Sequence, residues 1–135
     1  MESERVEALV QAGVLSFVSI FTTVLFIVLA RRAANGRLQR NQWIGIRTPS
    51  TLRSDRGWVV GHRAALRLTP LFLFTNVVTC GALFAVALYL PTPGVVRLVG
   101  FGVIAVIIAL VIYSAYVAGN AAKSADAHSD DQQRR

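Results

Sequence analysis

Charge is scarce in this chain, and lysine and cysteine are almost missing. Of 135 residues, 16% are charged and 54% hydrophobic, and the cations are 13 arginines and one lysine, Lys123. The acids occur only near the two termini and at Asp55. With a single cysteine, Cys80, no disulfide framework or Cys-based metal site is expected. No Ser/His/Asp set can be placed together and Cys80 lies in an apolar run, so an enzyme is not expected. Of the two histidines, His62 has no second ligand at helical spacing and His128 lies in the polar tail. A packed or hydrogen-bonded His62 is therefore favoured over a metal ligand, and no cofactor is implied.

What is present is apolar length. Three uncharged runs stand out, Ala8–Ala30, Leu68–Val96 and Leu98–Ala122. About 20 apolar residues in a helix cross a bilayer core of roughly 30 Å, and a chain this short cannot bury three such helices in itself. The runs also lack the period-two alternation of barrel strands. The fold class is thus an all-α membrane protein with three transmembrane helices and an ordered basic cytoplasmic loop between the first two. The spans are placed at about 8–30, 68–90 and 95–117, the loop at 31–67, and the three-span module at 1–122. A disordered polar tail is expected over 123–135. The N-terminus is acidic where cleavable signals are basic, so the first run reads as an uncleaved span. The runs hold no Asp, Glu, Lys or His, which argues against a proton-coupled transporter.

The loop carries nine arginines against one acid, Asp55. Cationic flanks stay cytoplasmic, which sets the N-terminus outside, the loop inside, the Leu90–Gly94 turn outside and the C-terminus inside. Only Arg97 dissents, near the outer end of the third span. The first helix is expected to stop at Asn35-Gly36, a left-handed C-cap pair. Gly45 and Pro49 punctuate an irregular stretch over 37–53. Ser54 reads as an N-cap for a helix that begins at Asp55 and runs unbroken into the second span.

On that helix Trp58, His62 and Ala65 share one side with Gly57 and Gly61, and Arg56, Val60, Arg63 and Arg67 line the other. The arginine stripe reads most simply as an interface anchor. The Trp43–Thr51 stretch asks for more, because Trp43, Ile44, Ile46 and Leu52 are apolar residues in a loop and need something to pack on. The glycine seam is the expected partner, which would fold the loop into a small cap. Arg47 would then be partly buried, its partner either a ligand or a structural group such as a helix-end carbonyl or Asp55. Within the spans, Asn76 is expected to hydrogen-bond across helices, and Ala115 and Gly119 form a small-residue seam. Charge alone would allow nucleic acid, but the nearest phosphates are those of anionic lipids, so the bilayer is the expected partner and nucleic acid is not.

The loop motif resembles the SdpI family of bacterial membrane proteins. The matching residues are Asn41, then Ile44-Gly45-Ile46-Arg47-Thr48-Pro49, then Thr51-Leu52, Trp58 and His62-Arg63, followed directly by a span. The protein for which the family is named is longer, with further N-terminal spans, so the resemblance covers the motif-bearing module. It implies a bacterial inner-membrane protein with an immunity or signalling role, protecting its host against a membrane-active peptide toxin. The candidate site residues are then Asn41, Ile44, Gly45, Arg47, Thr48, Pro49, Trp58, His62 and Arg63. A scaffold whose basic loop binds a cytoplasmic regulatory protein or anionic lipid is the alternative, with a small transporter behind it.

Overall fold

A computed structural model describes residues 2–133, with side chains described as far as His128. The described residues form four helices, α1 (Glu2–Ala34), α2 (Asp55–Leu66), α3 (Thr69–Tyr89) and α4 (Pro93–Gln133). Three of them, α1, α3 and α4, are long and apolar enough to cross a membrane. The all-helical, three-span expectation therefore holds. The chain falls into two compact units.

The first unit joins the chain up to Val24 with Pro70–Leu110. Its core is built from small and branched residues, with Ala8 and Ala12 of α1 against Leu83 and Ala87 of α3 and Val96, Val103 and Ile107 of α4. Alanines four apart lie on one helix face and let backbones approach closely. Phe17, Phe74, Val77, Leu98 and Phe101 point outward, an apolar surface that suits lipid and not water. Asn76 joins α3 to α1 as expected. Its Nδ2 donates to Thr23 Oγ1 at 2.7 Å and its Oδ1 accepts from Ser19 Oγ at 2.8 Å.

The second unit joins Leu25–Thr69 with the chain from Val111 onward. Here α1 ends where Asn35-Gly36 predicts: Gly36 has φ +71°, and the Leu38 N–H closes on the Arg32 carbonyl at 3.0 Å. Ser54 caps α2, its hydroxyl accepting the Gly57 N–H at 2.8 Å. The buried face of α2 is Gly57, Trp58, Gly61, His62 and Ala65, the side read from the sequence, together with Ala64.

Three expectations are corrected. The helix from Asp55 does not run into the span: α2 ends at Leu66 and α3 begins at Thr69. Pro70 has no N–H for the Leu66 carbonyl, and its ring would strike that oxygen. The Arg67 and Leu68 N–H groups fold back instead onto the Ala64 and Ala65 carbonyls, at 3.2 and 3.0 Å. Secondly, α4 continues to Gln133 where a disordered tail is expected from 123. Fully buried Ala118 and Ala122 and a 2.6 Å bond from Ser54 Oγ to Asp126 Oδ1 tie this extension to the unit; residues 134 and 135 lie outside the described residues. Thirdly, only part of the loop's apolar set packs: Ile46 is buried against Ala65 and Ala118, whereas Trp43 and Ile44 are not. Trp43 is 85% and Ile44 45% exposed, while Ile46, Ser50 and Thr51 are buried.

Candidate functional site

The site grows from a loop whose backbone must be satisfied without regular structure, and side chains do the work. Asn41 starts it as an Asx turn: its Oδ1 accepts the N–H groups of Trp43 and Ile44, both at 2.8 Å. That turn points Trp43 and Ile44 outward. Further on, Pro49 occupies the second position of a turn that closes with the Leu52 N–H on the Thr48 carbonyl at 3.0 Å. Thr48 and Thr51 brace it reciprocally. The Thr48 N–H donates to Thr51 Oγ1 at 2.9 Å and the Thr51 N–H to Thr48 Oγ1 at 3.1 Å. The Thr51 hydroxyl then reaches the Ile46 carbonyl at 2.8 Å.

Gly45 lets this loop touch α2. Its φ is +108°, a region that side chains disfavour, and a Cβ there would lie 2.8 Å from Trp58 and 2.9 Å from His62 Nε2. The next residue delivers the contact, as the Ile46 N–H donates to His62 Nε2 at 2.9 Å. Since Nε2 accepts, Nδ1 carries the proton and donates to the Trp58 carbonyl at 2.7 Å. His62 is thus held as a neutral, fully buried imidazole. Burial pushes its pKa below the usual histidine value, opposed in part by the bond to the Trp58 carbonyl. Its ring lies 4.2 Å from that of Trp58, whose Nε1 donates to the Leu38 carbonyl at 2.9 Å. Both imidazole nitrogens are occupied by backbone, which leaves neither for a metal or a substrate proton. His62 here works as a clasp.

The arginines divide the remaining partners differently from expectation. Arg47 is exposed, its Nη1 donating to the Gln42 carbonyl at 2.6 Å. Keeping the guanidinium in water avoids the cost of burying a charge. The two structural partners considered for it belong to other arginines. Arg63 Nε donates to the Ala34 carbonyl at the end of α1 at 3.1 Å. Arg40 pairs with Asp55 at 2.9 Å and also donates to the Leu52 carbonyl at 2.6 Å. Sequence reasoning missed Arg40, and a lone acid among nine arginines does not say which of them it will choose.

The structure therefore brings Gly45, Trp58 and His62 together, sets Thr48 and Pro49 in a supporting turn, and sends Ile44 and Arg47 to the surface. Asn41 shapes the turn, and Arg63 ties α2 to α1. Beside the clasp is a cavity of about 260 Å³, lined by Gly45, Ile46, Arg47 and His62 with apolar residues of α1 and α4 such as Phe26 and Ala115. Four motif residues thus border one apolar space. Thr51 and the α4 wall, Ala118 and Ala122, complete the packing against Gly61 and Gly57. The spacing of four between those alanines was the available signal.

This loop with its following helices is the region that a family model matches, the SdpI/YfhL protein family, over residues 37–115. The chain belongs to that family. Neither a curated protein nor a solved structure matches it. Family membership and three apolar helices fit a multi-pass membrane protein.

Proposed function

We propose that this protein protects a bacterial cell against a membrane-active peptide toxin from within the inner membrane, with the arginine-rich loop on the cytoplasmic side and the N-terminus outside. The observation that carries this reading is a division of labour within the motif. Gly45, Thr48, Trp58 and His62 hold the loop rigid, while Trp43, Ile44 and Arg47 are presented on its surface. Ordered loops that display Trp and Arg are good recognition surfaces, since those residues dominate binding energy when a partner covers them. A membrane-active peptide offers matching apolar and carboxylate or carbonyl groups. The orientation is supported by the nine arginines of residues 31–67, against none in the Leu90–Gly94 turn.

The test is membrane depolarisation in cells lacking the protein, challenged with membrane-active peptides and complemented with wild type or Arg47→Ala. Protection by wild type that is lost in the variant at equal expression is the expected result. Absence of protection against every peptide tried would turn the reading to the second one. In that reading the same exposed edge recruits a soluble regulatory protein, favoured by a loop that faces the cytoplasm whereas toxins arrive from outside. Co-purification of such a partner, lost on Arg47→Ala, would establish it.

A further inference from the structure

The stripe Arg56, Arg63 and Arg67 plays no part in the clasp, and it does not face open solvent on all sides. It forms one wall of a groove of about 540 Å³ whose other wall is the α4 extension, with Ala121, Ser124 and His128. We propose that this groove is a binding site for the phosphate of an anionic phospholipid. This is independent of the immunity reading and rests on the following geometry.

Spacings of seven and four residues put the three arginines on one face of α2, about 10 and 6 Å apart along its axis. Arg63 and Arg67 repel each other at that spacing. Arg63 uses its Nε on the Ala34 carbonyl, which leaves its terminal nitrogens. Among the described residues the guanidinium groups of Arg56 and Arg67 have no hydrogen-bond or ion-pair partner. Of the nearby described acids, Asp55 pairs with Arg40 and Asp126 accepts from the Ser54 hydroxyl. Guanidinium groups that line one groove and have no counter-ion among the described residues suit a phosphate, which accepts charge-assisted bonds from them. Small residues on the α4 wall leave the space that such a group needs. The source of the phosphate follows from the chain itself: Arg67 is two residues from Thr69, the first residue of a membrane-spanning helix. That end of the groove therefore opens at headgroup level, where an anionic leaflet supplies phosphodiesters.

The measurement is native mass spectrometry of the full-length protein released from mixed dioleoyl-phosphatidylglycerol and dioleoyl-phosphatidylcholine nanodiscs. Wild type is expected to retain one phosphatidylglycerol in preference to phosphatidylcholine. Arg56→Gln with Arg67→Gln should reduce that retention about tenfold or more, as for loss of charge-assisted contacts. Ser124→Phe keeps every charge but fills the groove, and it should reduce retention as well; it also carries the test if the double variant fails to fold. Arg37→Gln with Arg53→Gln removes equal charge elsewhere on the loop and should leave retention unchanged. Equal loss in that control, or full retention in Ser124→Phe, would overturn the groove in favour of diffuse charge. Displacement of the lipid by millimolar inorganic phosphate would overturn the lipid assignment in favour of a free-anion site. Loss of lipid retention with cellular protection intact would leave the immunity reading standing.

Discussion

The two units of the molecule solve the same problem with different means. In the first, regular helices satisfy their own backbone, and what remains is to choose a register. Small residues such as Ala8, Ala12 and Ala87 make that choice with one polar cluster, Asn76 with Ser19 and Thr23. In the second, the stretch between α1 and α2 has no ladder of hydrogen bonds, so side chains must stand in for one. Asn41, Thr48, Thr51, Trp58 and His62 all bond to backbone groups. Removing a side chain should therefore cost more in the second unit than in the first, because one change there leaves several groups unpaired.

Trp58→Ala should have the largest effect. It empties a fully buried site, deletes the bond to the Leu38 carbonyl and removes the surface against which His62 packs. Losses of about 3–5 kcal/mol are typical for such truncations, and the variant should give a much lower folded yield in detergent than Arg37→Ala, an exposed arginine of the same loop. Equal yields for the two would mean that the cap is not a packed unit. Gly45→Ala comes next, at about 2–3 kcal/mol, from strain at positive φ and collision with Trp58 and His62 together. Thermal unfolding in detergent, read by the fluorescence of Trp58 in a Trp43→Phe background, measures it.

A third test uses pH. Burial holds the His62 pKa in the folded protein below its unfolded value, so between the two the unfolded chain binds more protons. Its contribution to stability is present in full above about pH 6.5 and is lost as pH falls from there towards the folded pKa. Protonation also deprives the Ile46 N–H of its acceptor at Nε2. The slope due to this residue is at most about 1.4 kcal/mol per pH unit, the limit for one proton. It should disappear in His62→Gln, read by the same fluorescence between pH 5 and 8. A slope that persists unchanged would assign the pH dependence elsewhere.

Sequence legibility follows the same division. The spans, the Gly36 stop, the Ser54 cap and the buried face of α2 are local consequences of hydropathy, helical period and capping chemistry, and all could be read. The break before α3 was also written locally, in Pro70, but a continuous apolar run masked it. The partners of the arginines were not legible. Which guanidinium meets Asp55 depends on how a 20-residue segment turns, and that is decided by Asn41 and by the threonine pair through contacts close in sequence but irregular in form. The α4 extension was misread because a polar, mixed-charge tail looks disordered until Ala118 and Ala122 find Gly61 and Gly57 across the unit.

The smallest effect is expected from Asn76→Ala in the first unit, and it sets the scale for the rest. The residue is buried and makes three bonds, two of them to α1 and one to the Phe72 carbonyl of its own helix. In water, stranding Ser19 and Thr23 would be costly. In a membrane helix each hydroxyl has a second choice, the carbonyl one turn earlier in α1, so the loss is softened. Interhelical hydrogen bonds in bilayers are accordingly worth only about 0.6–2 kcal/mol, and Asn76→Ala should fall at about 1 kcal/mol in steric-trap or detergent unfolding. Its effect should nearly vanish in a Ser19→Ala, Thr23→Ala background, since the three residues form one cluster. A cost equal to that of Trp58→Ala would break the contrast between the units, because it would make a polar clasp as decisive inside the bilayer as outside it.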